Sequence, residues 1–259
     1  MSAPRKTRLD DALIARGLAG GADKALALIM AGDVFVNGQL QIKADHRVTA
    51  ADAITVQNKH PFVSRGAFKL AKAIEAFAIT VAGAKALDLG ISTGGFSDYL
   101  LQCGADRVCG VDVTISQVDY SLRQNPRLTL LEKNARFLQP QDVPFEPDLI
   151  IMDLSFISIA MVLPVLTGFA KAKILALVKP QFEAPKPLVG KGGVIRDAGT
   201  RLDVVLGLKR RIESMGFAVR GFTPSGLKGR KGNQEYFFLL EFGKKKSIDD
   251  TMLRDEAAV

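Results

Sequence analysis

The feature that most limits how this chain can fold is a train of short apolar runs, at residues 86–89, 108–112, 128–132, 149–152, 174–178 and 217–221. Segments with helical apolar spacing separate them, and a further run at 236–242 closes the series. Strands alternating with helices, each strand apolar along its whole length, predict an α/β fold whose sheet is mostly parallel and covered by helices on both faces.

The first of these runs leads into "ALDLGISTGGF", residues 86–96, a buried strand that opens into glycines. A dinucleotide fingerprint would need glycine two places after Gly90, where Ser92 stands, and a phosphate loop would need Lys and Ser/Thr after Gly95, where Phe96 stands. The loop thus reads as a pocket for an adenosine-type ligand without a phosphate chain, for which S-adenosylmethionine (SAM) is the commonest candidate. Gly94 and Gly95 fall at the expected start of a helix, where each costs about 1 kcal/mol relative to Ala, so close approach of a ligand is the expected reason for them. Asp112, 24 residues after Asp88 and at the end of the second run, stands where doubly wound folds direct an acid at ribose hydroxyls.

Composition narrows the partners. The chain has 259 residues, 47% of them hydrophobic, enough for one sizeable core and a small accessory domain. Its formal charge of +8 points to a polyanion, and the excess is concentrated late: +2 over residues 1–60, +1 over 61–180 and +5 over 181–259. Apolar stretches such as 148–169 are interrupted by Asp153, Ser155, Ser158 and Pro164, short of the roughly 20 apolar residues a membrane span requires. The N-terminus, "MSAPRKTRLDDALIARG", lacks the apolar core of a signal peptide. Two cysteines, Cys103 and Cys109, have no metal-ligand spacing and read as small apolar side chains; no metal is expected, and a reducing cytoplasm fits.

The polar stretch "QNKHP", residues 57–61, reads as a linker between a small domain, 1–60, and a large one, 61–243, with a flexible tail over 244–259. In the small domain, residues 9–16 and 23–30 have helical spacing, "GDVFVNG" looks like a strand entering an Asn-Gly turn, and "AITVQ" is a second strand.

Six segments, "SRGAFKL", "LDLGISTGGFSDYLL", "DLSFIS", "VKPQFEA", "GKGGVIRD" and "KGNQEYFF", occur in the order and spacing of one family. The chain resembles the hemolysin-A-like (TlyA) ribosomal RNA methyltransferases, whose core is similar to the FtsJ-type 2′-O-ribose methyltransferases. The resemblance covers residues 8 to about 242. It implies a Rossmann-like SAM-dependent methyltransferase domain behind a small α+β RNA-binding domain of the kind found in ribosomal protein S-four. The implied activity is methylation of the cytidine 2′-hydroxyl in ribosomal RNA, with ribosomal RNA or ribosomal subunits as partners.

The resemblance also implies a Lys-Asp-Lys-Glu tetrad, carried here by Lys69, Asp153, Lys179 and Glu235. Asp153 and Lys179 follow apolar runs, at the strand ends where open α/β sheets build their sites. A ribose hydroxyl is a poor nucleophile until its proton leaves, whereas the methyl donor is already activated, so the protein must position the reactants and manage one proton. Desolvation and a neighbouring ammonium favour a neutral amine, which would let Lys179 accept that proton while Lys69 stabilises developing negative charge and the two acids orient the amines; the sequence leaves open which lysine is the base, and positioning of the hydroxyl by the whole tetrad describes the set equally well. The expected cofactor contacts are Asp88, Gly90, Ser92, Thr93, Gly94, Gly95, Phe96, Asp112, Asn134 and Asp153.

For RNA, the small domain offers Arg5, Lys6, Arg8, Arg16 and Lys24, and the large one Arg65, Lys191, Arg196, Lys228, Arg230 and Lys231, with Lys186 nearby. The family usually carries a Ser-Arg pair at the start of the second helix, where Gly21 and Ala22 stand here, and more often has proline in place of Arg230. With no Trp and three Tyr, recognition of folded RNA by shape and phosphate is favoured over stacked single strands. Phe68, Phe156 and Phe182 are the residues able to line a pocket for an extruded base, with core packing as their default role. Two rival functions are a pore-forming haemolysin, which the older family name implies, and an RNA-binding assembly factor without chemistry.

Overall fold

The computed structural model describes residues 6–56, 61–243 and 246–257, and within these says nothing of the side chains of Ala31, Arg230 and Ala257. The chain divides into two compact units between Arg65 and Gly66. That is later than the expected 60/61 boundary, because residues 61–65 form bends before the next helix begins at Gly66. Most of the expected linker, residues 57–60, lies outside the described residues, as does Arg5.

The first unit contains β1 (Thr7–Arg8), α1 (Leu9–Ala15), α2 (Ala22–Ala31), β2 (Val34–Val36), β3 (Gln39–Leu40), β4 (Arg47–Val48) and β5 (Ile54–Val56). Asn37 and Gly38, at φ 51° and 79°, make the two-residue turn between β2 and β3, the left-handed pair that matches strand twist in a tight hairpin. Leu9, Leu13, Ile29, Val34 and Val48 close a small core of their own.

The second unit contains α3 (Gly66–Ala76), β6 (Lys85–Leu89), α4 (Gly95–Gln102), β7 (Arg107–Asp112), α5 (Tyr120–Arg123), β8 (Leu128–Glu132), β9 (Leu149–Met152), α6 (Leu163–Leu166), β10 (Lys173–Val178), α7 (Pro180–Glu183), α8 (Ala198–Ser214), β11 (Phe217–Pro224), β12 (Tyr236–Phe242) and α9 (Asp250–Ala257). Seven strands form one sheet in the order β11-β12-β10-β9-β6-β7-β8. β6, β7, β8, β9 and β10 run parallel, and β12 pairs antiparallel with both β10 and β11. Central strands are buried from end to end, as in β9 and nearly all of β10, which is why their sequence shows no alternation.

The part of the expected tail that is described, residues 246–257, packs on the large unit. Among residues 246–257, Ile248 N–H donates to Val219 O at 2.8 Å and Ser247 Oγ accepts from Val219 N at 3.1 Å, on the edge strand β11. α9 then buries Leu253 completely, and Asp250 pairs at 2.9 Å with Lys209 of α8, which also meets Glu213 at 3.0 Å. Apolar burial and a shielded cation anchor a segment whose charged composition resembles that of a solvated terminus.

Candidate active site

The sheet order reverses between β6 and β9: the chain steps outward through β7 and β8, then returns to the other side of β6. This switch point opens a crevice at the carboxyl ends of the strands. Gly90 N–H donates to Val111 O and Asp153 N–H to Leu89 O, at 2.8 and 2.9 Å, aligning the exits of β7, β6 and β9. Lys179 follows β10, and Glu235 precedes β12, whose Tyr236 faces Val178. Asp112, Gly90, Asp153, Lys179 and Glu235 therefore occupy successive strand ends along one edge.

Two ion pairs stand on that edge. Lys179 Nζ lies 2.6 Å from Asp153 Oδ1, without the alignment of a hydrogen bond, and donates to Ser155 Oγ at 3.0 Å. Lys69, from α3, donates to Glu235 Oε2 at 2.6 Å, and Glu235 is only 2% exposed. Pairing offsets the cost of removing these charges from water, and loss of either partner would strand the other. Lys179 Nζ also lies 5.9 Å from the ring centre of Phe182, whose ring is 5.1 Å from that of Phe156. Phe156 is 82% exposed and held at φ 65°, an unusual conformation for a bulky residue. Phe68 is half-buried on α3.

The glycine loop sits at the same edge. Gly90 has φ 89°, and a β-carbon there would fall 2.4 Å from Asp153 O, so only glycine lets the loop turn against β9. Ser92, exposed and at φ 50°, donates its N–H to Asp112 Oδ2 at 2.9 Å, while Asp112 Oδ1 accepts from Val113 N–H at 2.7 Å. Two backbone donors fix this carboxylate and leave it lone pairs for further donors. Thr93 is half-buried, with its carbonyl accepting from Asp119 N–H. Asn134, exposed, caps a short turn by accepting from Arg136 N–H at 3.0 Å.

Four expected contacts, Asp88, Phe96, Gly94 and Gly95, are buried. Asp88 is fully buried beneath the loop, with Oδ2 accepting from Ser97 Oγ at 2.6 Å and Oδ1 lacking a hydrogen-bond partner among the described residues. Burial pushes its carboxyl up to about 7. Phe96 is 5% exposed, with its ring 6.2 Å from that of Phe237 in the core. Gly94, at φ 97°, faces Leu122 Cδ1, 2.3 Å from where a β-carbon would stand; helix packing explains this glycine without a ligand. Gly95, the first residue of α4, is buried too.

The expected RNA contacts also divide. Lys6, Lys24, Arg65, Lys186, Lys191, Arg196 and Lys228 are exposed. Arg8 instead pairs with Asp10 at 2.7 Å, and Arg16 donates to the carbonyls of Asp52 and Thr49 at 2.7 and 2.8 Å, fastening α1 to a turn. Lys231 donates to Gly192 O at 2.8 Å, and the side chain of Arg230 lies outside the description. No group of His, Cys, Asp and Glu suited to a metal occurs among the described residues, and no helix there is long and apolar enough to cross a membrane.

Sequence reasoning did not single out Ser155, Ser97 or Glu183. Glu183 accepts from Ser158 Oγ at 2.5 Å and from Ile159 N–H at 2.9 Å, joining the loop after Asp153 to the helix after Lys179; burial raises its carboxyl above the usual range. Its place in "VKPQFEA" was the available signal, but its partner loop is some 25 residues away.

Residues 62–242 match the family described as FtsJ-like methyltransferase. The 16S/23S rRNA (cytidine-2′-O)-methyltransferase TlyA of Mycobacterium tuberculosis is 44% identical over 97% of this chain and 96% of its own. The chain belongs to the TlyA group of FtsJ-like methyltransferases. It is by that membership an enzyme of methyl transfer. The 23S rRNA (cytidine-2′-O)-methyltransferase TlyA of Campylobacter jejuni is 30% identical over 88% of this chain and 97% of its own. Hemolysin A of Brachyspira hyodysenteriae is 39% identical over 88% and 97%. A solved hemolysin-named structure from Streptococcus thermophilus superposes with a TM-score of 0.76 at 32% identity, covering 99% of this chain and 96% of that one.

Proposed function

We propose that this methyltransferase uses SAM to methylate the 2′-hydroxyl of a cytidine in ribosomal RNA, with Lys69, Asp153, Lys179 and Glu235 as its catalytic set. The observation that carries the reading is the pair of ammonium–carboxylate contacts, Lys179–Asp153 and Lys69–Glu235, at neighbouring strand ends beside the glycine loop. Relatives that cover nearly the whole chain are named as rRNA cytidine-2′-O-methyltransferases, which supports the substrate.

The residues present suit the cofactor: Gly90 lets backbone approach the crevice, and Asp112 presents a carboxylate fixed by two N–H donors, as ribose hydroxyls require. When bound, SAM supplies a methyl group already activated by its sulfonium. Lys179 Nζ, steered by Asp153 and Ser155, orients the ribose hydroxyl and, as the neutral amine left once its own ammonium proton has passed to water, takes the hydroxyl proton. Lys69, held by Glu235, keeps a positive charge near the oxygen as negative charge develops there. In this reading the first unit is an RNA-binding module of the S-four type, and exposed Lys6 and Lys24 meet phosphates.

The test is transfer of tritiated methyl from SAM to isolated small and large ribosomal subunits lacking the modification, followed by nuclease mapping of the labelled nucleoside. The expected product is 2′-O-methylcytidine, lost in Lys179→Ala while SAM binding persists. Label on a base, or full turnover by Lys179→Ala, overturns the assignment.

A further inference from the structure

Two glycine-rich basic loops, residues 190–197 ("GKGGVIRD") and 226–233 ("GLKGRKGN"), the second of which runs up to Glu235, are joined by side chains, chiefly that of Asn233. Asn233 is 4% exposed. Its Oδ1 accepts from Ile195 N–H at 3.3 Å, its Nδ2 donates to Gly193 O at 2.9 Å, and its own carbonyl accepts from Gly229 N–H at 2.8 Å. Lys231 adds a second tie through Gly192 O. Both loops rely on left-handed backbone, at Gly192, Gly193, Gly226, Lys231 and Gly232, and their own regular structure is slight: one β-bridge between Gly190 and Val194 in the first and a single 3-10 turn over Arg230–Gly232 in the second. The inner edge of this assembly rests on the site: a β-carbon on Gly229 would fall 1.8 Å from Glu235 Oε1. Glu235 has no room to swing aside, being buried and bound to Lys69.

We infer that Asn233 is a positioning residue that fastens the two basic loops into one cradle for the RNA backbone and, through Gly229, holds Glu235 in register with Lys69. The inference rests on the RNA methyltransferase reading above. Lys191, Arg196 and Lys228 all project from these loops into solvent. Separately, each loop would offer mobile charges; buttoned together they offer fixed spacing, which suits a polyanion of regular repeat. Because the loop that would carry the phosphate contacts also abuts Glu235, a loosened cradle affects turnover as well as binding.

The experiment is a double-mutant cycle on the full chain, with binding to and methylation of the ribosomal subunit substrate as readouts. Lys191→Ala/Arg196→Ala weakens RNA binding about tenfold alone, and in an Asn233→Ala background by less than about twofold, because the loop is already adrift. Gly229→Ala lowers kcat by about 10- to 100-fold, the cost of a small misplacement, with RNA affinity changed less than about threefold. An effect merely on folded fraction would lower both quantities together and leave the cycle additive. Should Asn233→Ala fail to fold, Asn233→Asp keeps the Ile195 bond and loses the Gly193 donor, and it takes the same place in the cycle. Additivity, or normal kcat in Gly229→Ala, overturns the inference while wild-type transfer still stands. Absence of wild-type transfer overturns the underlying reading instead.

Discussion

Replacing Asp88 with asparagine should change how stability depends on pH. Asp88 is fully buried, only one of its oxygens has a donor, and burial is the first cause that lifts its carboxyl from 3.8 to about 7, followed in the same sense by the charge of Asp153. The native state therefore binds a proton at Asp88 between about pH 4 and 7 that the unfolded chain has released. Stability contributed by this proton is complete below pH 4 and is lost as pH rises toward 7. At about 1.4 kcal/mol per pH unit, the loss is on the order of 4 kcal/mol. The amide that replaces the carboxyl has no proton to lose, so the stability of Asp88→Asn minus that of wild type should rise by this order between pH 4 and 8. Urea unfolding followed by circular dichroism at a series of pH values measures it, and the difference cancels Glu183, which shifts in the same direction in both proteins. Curves that stay parallel across the range would refute the claim that Asp88 is protonated in the folded state.

Two other substitutions probe the site and the C-terminal segment. Gly90→Ala forces a side chain into a φ of 89° and against Asp153 O, so calorimetric titration should show SAM affinity reduced by about tenfold or more; unchanged affinity would mean the loop is pliable there. Leu253→Ala removes a completely buried side chain and should cost about 2–4 kcal/mol in denaturant unfolding, with kcat unaltered; a cost under about 0.5 kcal/mol would show that α9 frays in solution.

The sheet was legible because its strands are apolar throughout and lie between helical spacings, a pattern that depends on each segment alone. Lys179 and Asp153 were legible for the related reason that they end such runs. What escaped depends on contacts between distant residues. Gly94 looks like a ligand contact in sequence, yet Leu122 accounts for it. The bonds of Arg16 to the carbonyls of Thr49 and Asp52 span more than 30 residues and leave no mark in the sequence around it. Asp88 and Phe96 stand close to the glycine loop in sequence but lie on a central strand and a packed helix whose flanking residues are buried as well, which only the assembled sheet and helix show. The anchorage of the terminal segment rests on few residues: one leucine, one shielded lysine on another helix, and two bonds to a strand edge.

Those two bonds at Val219 have a consequence for how the protein keeps to itself. β11 is an outer strand, and an uncovered outer strand is a template on which a second molecule can add its own backbone. By laying residues 247 and 248 along β11 and closing the approach with α9, the chain occupies its own sticky margin. Trimming the protein after Gly243 would leave the chemistry of the crevice intact but turn this margin outward, and the shortened chain would be expected to self-associate through it.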